Sequence, residues 1–328
     1  MSNPFLSSTS KPGHGLIHLG VPRLRALSYQ YPLKLVSPAP QHLPDADTRL
    51  VQTVYLLTYG GGLVAGDTID LHVTLEPDTR LILLTQGSTK LFKAPKRSVL
   101  SRQCMTVDLT PGSALCYLPD PVQPFEHSNF EQRQIYNILP SGDGTSSSSL
   151  CALDWVSNGR PANGENWSFY RYGSRNELYL HGSHGKRRLL LRDNVILDDH
   201  EVGGSVAQRM DGQAVFGTLL LHGPLFQHLG EFFMNEFKQL PRIGGRKWDS
   251  GSESGEDDVD HAAIRRAARQ RQASLDGVLW SAASVRNCVV VKLGAREVEG
   301  GRSWLRSMLV EEGSVVRHFG ERALMCLR

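Results

Sequence analysis

From Leu50 to Leu139 apolar residues recur with a period of two or gather into short blocks, the signature of β-strands rather than helices. Ile69, Leu71, Val73 and Leu75 interleave with Thr68, Asp70, His72, Thr74 and Glu76, as in a strand with one face in a core. The pattern predicts strands over residues 51–59, 68–76, 80–85, 99–109, 114–118 and 132–138. Turn signals separate them at Glu76-Pro77-Asp78, Thr110-Pro111-Gly112 and Pro119-Asp120-Pro121. An opening strand or two is expected within residues 16–37, and further strands at 177–180, 188–191, 215–222 and 288–293.

The period changes after Gly223-Pro224. Leu225, Phe226, Leu229, Phe232, Phe233, Phe237 and Leu240 form a stripe at helical spacing, predicting a helix over 225–240 whose wide apolar face suits a core. A second helix is expected over 262–275, preceded by acids and carrying Arg265, Arg266, Arg269 and Arg271, and a third over 303–310. No helix interrupts 50–139, and consecutive strands without crossover helices imply antiparallel neighbours. The fold class is therefore mainly β: two packed antiparallel sheets in one large domain, with a β-helix-like arrangement as a variant and two or three helices in the C-terminal third. A flexible start is expected over 1–15, a single domain over 16–328, and disordered insertions near 140–149 and 245–261, where Ser, Gly and acidic residues displace apolar ones.

Composition narrows the class. Charged residues make up 21% and the net charge is +3, too small a field to point to nucleic acid or an anionic membrane. No apolar run reaches the roughly 20 residues a membrane-spanning helix needs. Prolines and glycines between Pro4 and Pro22 break the amphipathic helix of an organellar transit peptide. Five scattered cysteines, none in a C-x-x-C pair, suit a reducing, cytoplasmic setting and read as small core residues.

Several catalytic patterns fail on context. Gly60-Gly61-Gly62-Leu63-Val64-Ala65 fits a dinucleotide fingerprint by letter, but a strand follows it where the pyrophosphate needs a helix N-terminus. Gly87-Ser88-Thr89-Lys90 has phosphate-loop letters in the wrong order. No H-E-x-x-H pair and no G-x-S-x-G elbow is present; His181 and His184 sit close in sequence, in a Gly-Ser turn that reads as a solvated loop. Carboxylates and hydroxyls in glycine-rich turns remain: Asp67, Ser88, Thr89, Asp154 and Glu165. Singly, each fits a turn former or cap.

Together these turns resemble the urease accessory protein D family. GGGLVAGD is similar to its Gly-Gly-Leu-x-x-Gly-Asp segment, and TQGSTKLFK to its Thr-x-x-x-x-Lys-aromatic segment. LPDPVQPFEHSNF resembles its Leu-Pro-x-Pro-x-x-x-Phe turn, and DWVSNGRPANGE its acid-x-x-x-x-Gly-Arg-x-x-x-Gly-Glu segment. VVVKLGAREVEGGRSWLRSMLVE resembles its closing strand and helix. The match runs in order over most of the chain, whereas the Ser-rich insertion and the acidic stretch from Ser250 to Asp260 are additions to the family pattern.

The resemblance implies a non-enzymatic nickel-delivery chaperone and scaffold. It would dock on the urease apoprotein with urease accessory protein F and the GTPase accessory protein G, and serve GTP-dependent assembly of the nickel active site. No tightly bound cofactor is implied, only Ni²⁺ in transit. Imidazole and thiolate clusters would trap so strongly bound an ion, whereas carboxylate and hydroxyl oxygens grip it weakly enough to pass it on. On that reading Asp67, Ser88, Thr89, Asp154 and Glu165 line the nickel path. A small-molecule enzyme on a β scaffold and an interaction module without a metal role stay open beside it.

Overall fold

The computed structural model describes residues 11–43, 50–140, 148–182, 186–200, 204–240 and 261–328. The chain opens with β1 (His14–Leu19), β2 (Leu24–Tyr29), β3 (Leu33–Val36) and β4 (Val51–Thr58). It continues through β5 (Gly62–Leu63), β6 (Thr68–Leu75), β7 (Arg80–Leu84), β8 (Lys90–Leu91), β9 (Ser101–Leu109) and β10 (Ala114–Tyr117). Next come β11 (Gln123–Pro124), β12 (Asn129–Ile138), β13 (Ser149–Ser157), β14 (Arg171–His181) and β15 (Arg187–Asp198). A short helix α1 (Val206–Arg209) precedes β16 (Val215–His222), α2 (Gln227–Lys238) and α3 (His261–Leu275). The hairpin β17 (Leu279–Val285) and β18 (Cys288–Ala295) leads into α4 (Val298–Glu312) and α5 (Ser314–Phe319).

Two large sheets carry the body. One has the order β15-β14-β12-β9-β6-β1-β2, the other β17-β18-β16-β13-β10-β7-β4-β3. The mainly β, two-sheet expectation holds, but the antiparallel pairing is corrected. β1, β6, β9, β12 and β14 run parallel to one another, as do β4, β7, β10 and β13; antiparallel pairs are confined to the flanks. Parallel neighbours need a crossover, and here the crossover is a strand of the opposite sheet. The chain passes from β4 to β6, β7, β9, β10, β12, β13 and β14, changing sheet at each step and advancing one position per coil. This is the β-helix-like variant. A third, three-stranded parallel sheet, β11-β8-β5, stacks the corners of successive coils.

Burial explains the apolar blocks. Along β7, Leu81 and Leu83 face the core between the sheets, while Ile82 and Leu84 face a second core. β10 and β13 repeat this: Leu115 and Leu150 lie in the first core, Cys116 and Cys151 in the second. The second core is closed by Phe226, Leu229 and Phe233 from the end of the loop and from α2, by Trp304, Leu305, Met308 and Leu309 of α4, and by the C-terminal Leu324 and Leu327. A strand covered on both faces reads as a continuous apolar run. The α2 stripe is thus core, as its width implied.

The third predicted helix begins earlier, at Val298, and ends at Gly313, whose φ of 88° suits a residue without a Cβ. Cys116, Cys151, Cys288 and Cys326 are buried, Cys104 is half-buried, and all five are free. Residues 1–10 of the expected flexible start and most of both expected insertions lie outside the described residues. His14 and Gly15 already belong to β1, and Ser149 to β13. His181 receives Asn137 as its partner, at 3.0 Å, and His184 lies outside the described residues. Among the described residues no helix is long and apolar enough to cross a membrane.

Glu177, fully buried on β14, is an exception to apolar burial. Arg133 (2.7 Å) and Arg192 (2.8 Å) donate to its two carboxylate oxygens, and the Tyr179 hydroxyl adds a third contact at 3.2 Å. Burial pushes this carboxyl up, but the arginine hydrogen bonds and charges outweigh it and hold the group below the ordinary 4.5. The pairing therefore stabilises the fold fully above that value and is lost as pH falls through the depressed one. Both guanidinium groups are about half exposed and can return to water, so Glu177→Gln is expected to cost only about 1–2 kcal/mol near neutral pH. Urea unfolding between about pH 7 and 3 should show the variant's deficit shrinking with acid.

Candidate functional site

Three glycine-rich segments and the proline-rich turn around Gln123 meet at the corners of the coils. Leu63 accepts from the Phe92 amide (3.0 Å), Leu91 from Phe125 (2.9 Å), and Thr89 from Gln123 (2.9 Å), while the Gln123 side chain donates to Gly159 (2.8 Å). Gly62 is needed because a Cβ there would stand 2.4 Å from the Lys90 carbonyl oxygen. Gly60 and Gly61 take φ of 71° and 75°, and the space beside each is open. Distant stretches of sequence thus form one continuous edge.

Beside that edge lies a depression of about 280 Å³, open to solvent and lined by Lys34, Tyr59, Gly60, Gly61, Gln86, Gly87, Ser88 and Thr89. The hydroxyls of Ser88 and Thr89, both half-buried, have no hydrogen-bond partner among the described residues. Leu56 and Thr89 also line an inner cavity of about 20 Å³, whose walls include Thr85, Tyr117, Asp120, Gln132, Gln134 and Asp154. That volume has room for about one water or ion.

Asp154 is buried on the inter-sheet face of β13. Gln132 (2.6 Å) donates to one of its oxygens, and Asn176 (2.6 Å) and the Ser174 hydroxyl donate to the other. No ion pair reaches it among the described residues. Burial raises its pKa above the usual carboxylate value, against the pull of these neutral donors. The penalty for ionising it is absent below the unfolded-state pKa and complete above the folded one, so it weighs on the fold at neutral pH and is relieved by acid. Asp154→Asn should therefore stay within about 1 kcal/mol of the parent near pH 7. The parent should gain on it as the pH is lowered, read by urea unfolding at both ends.

Asp120 was read from sequence only as part of a Pro-Asp-Pro turn. In the fold it is buried across the same cavity and accepts from Thr85 (3.0 Å), the Gly87 amide (2.9 Å) and Arg302 of α4 (2.7 Å). The signal that could have found it is an acid pinned between two prolines, which holds its backbone rigid wherever the side chain points. Cys326 is the thiol here: its Sγ donates to the Thr85 carbonyl at 3.4 Å, and burial pushes its pKa up to about 12. Kept protonated, it is a poor metal ligand.

The structure therefore brings Ser88, Thr89 and Asp154 together around one depression and the cavity beneath it. Asp67 and Glu165 line neither. Asp67 closes its own turn by accepting from Val64 (2.8 Å). Glu165 is buried and clamped by Arg160, whose hydrogen bonds hold its carboxyl below the ordinary value; it also accepts from the Glu126 amide. The Arg160 guanidinium lies 3.7 Å from the centre of the Phe125 ring, fastening two corner loops. Among the described residues no group of three or more His, Cys, Asp or Glu side chains could hold a metal ion.

The model of the UreD urease accessory protein family matches residues 16–320. Urease accessory protein 4 of Cryptococcus neoformans var. grubii is 33% identical over 92% of this chain and 90% of its own. A protein of Schizosaccharomyces pombe described as an uncharacterized ureD-like urease accessory protein is 28% identical over 90% of this chain and 91% of its own. Urease accessory protein D of Arabidopsis thaliana is 32% identical over 64% of this chain and 67% of its own. With a match spanning both sheets, the corner edge and the closing helices, the chain belongs to the UreD urease accessory protein family.

Proposed function

We propose that the protein matures urease as a nickel-delivery chaperone and scaffold in the cytoplasm. It docks on the urease apoprotein with urease accessory protein F and the GTPase accessory protein G, and Ni²⁺ passes along its corner edge. The observation that carries this reading is the position of Thr89, which lines both the wider surface depression and the small inner cavity walled by Asp120 and Asp154. An ion entering at Gly60, Gly61 and Ser88 meets hydroxyls first and a buried carboxylate without a cationic partner next. Oxygen and amide donors bind nickel more weakly than imidazole or thiolate, so the ion is held briefly and released. The protein does no bond-breaking chemistry in this role.

Asp154→Asn removes the charge with little change in shape. In activation of apo-urease reconstituted with the F and G proteins and Ni²⁺, the variant should lower the activation rate about tenfold or more, a loss of about 1.4 kcal/mol in the delivery step. Equal activation by parent and variant, with the complex intact on gel filtration, would reject transit past Asp154. A docking role without metal is the second reading. It is favoured by Asp67 and Glu165, whose carboxylates are already engaged in local structure.

A further inference from the structure

A second concavity, of about 1050 Å³, lies away from the corner edge, between α2, the end of β16, the β14–β15 pair and the β17–β18 hairpin. Its floor is apolar: Leu190, Leu221 and Phe226 are buried and Val289 is half-buried. Its margin is cationic, with Arg188, Lys238 and Arg286 all exposed. None of the three makes an ion pair among the described residues; Arg286 donates to the Leu189 carbonyl at 2.7 Å and the other two make no side-chain hydrogen bond there. Glu231 is the acid in the lining, and it is occupied by Gln227 (3.0 Å) and His228 (3.6 Å).

Unpaired cations around a greasy floor repel another cationic surface and attract carboxylates. The volume reaches the upper limit of roughly 300–1000 Å³ for small-molecule pockets, and the concavity is partly open to solvent, which suits a segment of chain better than an enclosed small molecule. Apolar floor and charged margin together match an extended segment with alternating character, which buries side chains centrally and pairs charges at the rim. We propose that this groove docks an acidic segment of a partner protein, its apolar side chains on Leu221, Phe226 and Val289 and its carboxylates on Arg188, Lys238 and Arg286. This surface stands independently of the nickel reading.

The probe is a fluorescein-labelled peptide, Glu-Leu-Ser-Glu-Leu-Ser-Glu-Leu, followed by fluorescence anisotropy with the full-length protein. Binding should be salt-sensitive and should weaken about tenfold in the Arg188→Glu/Lys238→Glu variant, since two attractions become repulsions. Both side chains are exposed and unbonded, so an unchanged melting curve is expected. The same peptide with Lys for Glu should not bind. Arg102→Glu/Arg175→Glu, at exposed positions that line a different hollow and not this groove, changes net charge equally and should leave binding intact. Equal weakening by both charge reversals, or no difference between the acidic and basic peptides, would overturn the proposal. So would concentration-dependent dimerisation of the protein lost with Arg188→Glu/Lys238→Glu, which would make a second copy the occupant.

Discussion

Trp155→Ala is expected to destabilise the protein by about 3–5 kcal/mol, the range for removing a large buried aromatic. Trp155 is 2% exposed in the core between the second sheet and the helices. It stands opposite Gly217, where a Cβ would lie 2.7 Å from its own Cβ, so the space the indole fills exists because its neighbour has no side chain. Its Nε1 donates to the Pro119 carbonyl at 2.8 Å, fixing the turn that carries Asp120. Alanine leaves a cavity and an orphaned carbonyl together. Trp155→Phe keeps most of the ring and loses the hydrogen bond, which should cost only about 1–2 kcal/mol. Urea unfolding of the three proteins separates the terms. A difference between the two variants smaller than about 1 kcal/mol would mean that the pocket collapses around alanine.

Arg302→Ala should cost about 2–4 kcal/mol, because it strips the cation from a carboxylate that cannot easily reach water. Asp120 is 8% exposed and the Arg302 side chain 18% exposed, so solvent screens this pair less than the arginines around Glu177. Arg302 also ties α4 to the corner edge, since Asp120 in turn holds Thr85 and the Gly87 amide just before Ser88 and Thr89. In a double-mutant cycle, Arg302→Ala combined with Asp120→Asn should be less damaging than the sum of the two, by about 1–3 kcal/mol. Additive losses would show that the ion pair contributes nothing of its own.

Most long strands of the first half were legible because they alternate or carry a short apolar block, and the α2 stripe was legible because seven apolar residues keep helical spacing. β13, the two-residue strands β5, β8 and β11, and β17, α1 and α5 were not. β17 has exposed Leu279 and Val285 and only Ala282 buried, leaving no alternation to read. The two helices span four and six residues, too few for a period to emerge. At the candidate site, the turns pointed to segments that the fold brings together, but not to which side chains would share a cavity. Asp67 and Asp154 look alike as acids beside turns; one caps its own backbone at Val64 and the other is enclosed by Gln132, Ser174 and Asn176 from the opposite sheet.

The sequence by itself determined most of the strands of the first half, where the period changes to that of a helix, and that no histidine or cysteine pair stands at metal-binding spacing. Those properties are local, set by side-chain period and backbone freedom within about ten residues. Tertiary structure alone decided that neighbouring strands run parallel, that Arg302 meets Asp120, and that Thr89 and Asp154 line one cavity. Each depends on coils stacking in register, a relation between segments tens to hundreds of residues apart that no local pattern encodes.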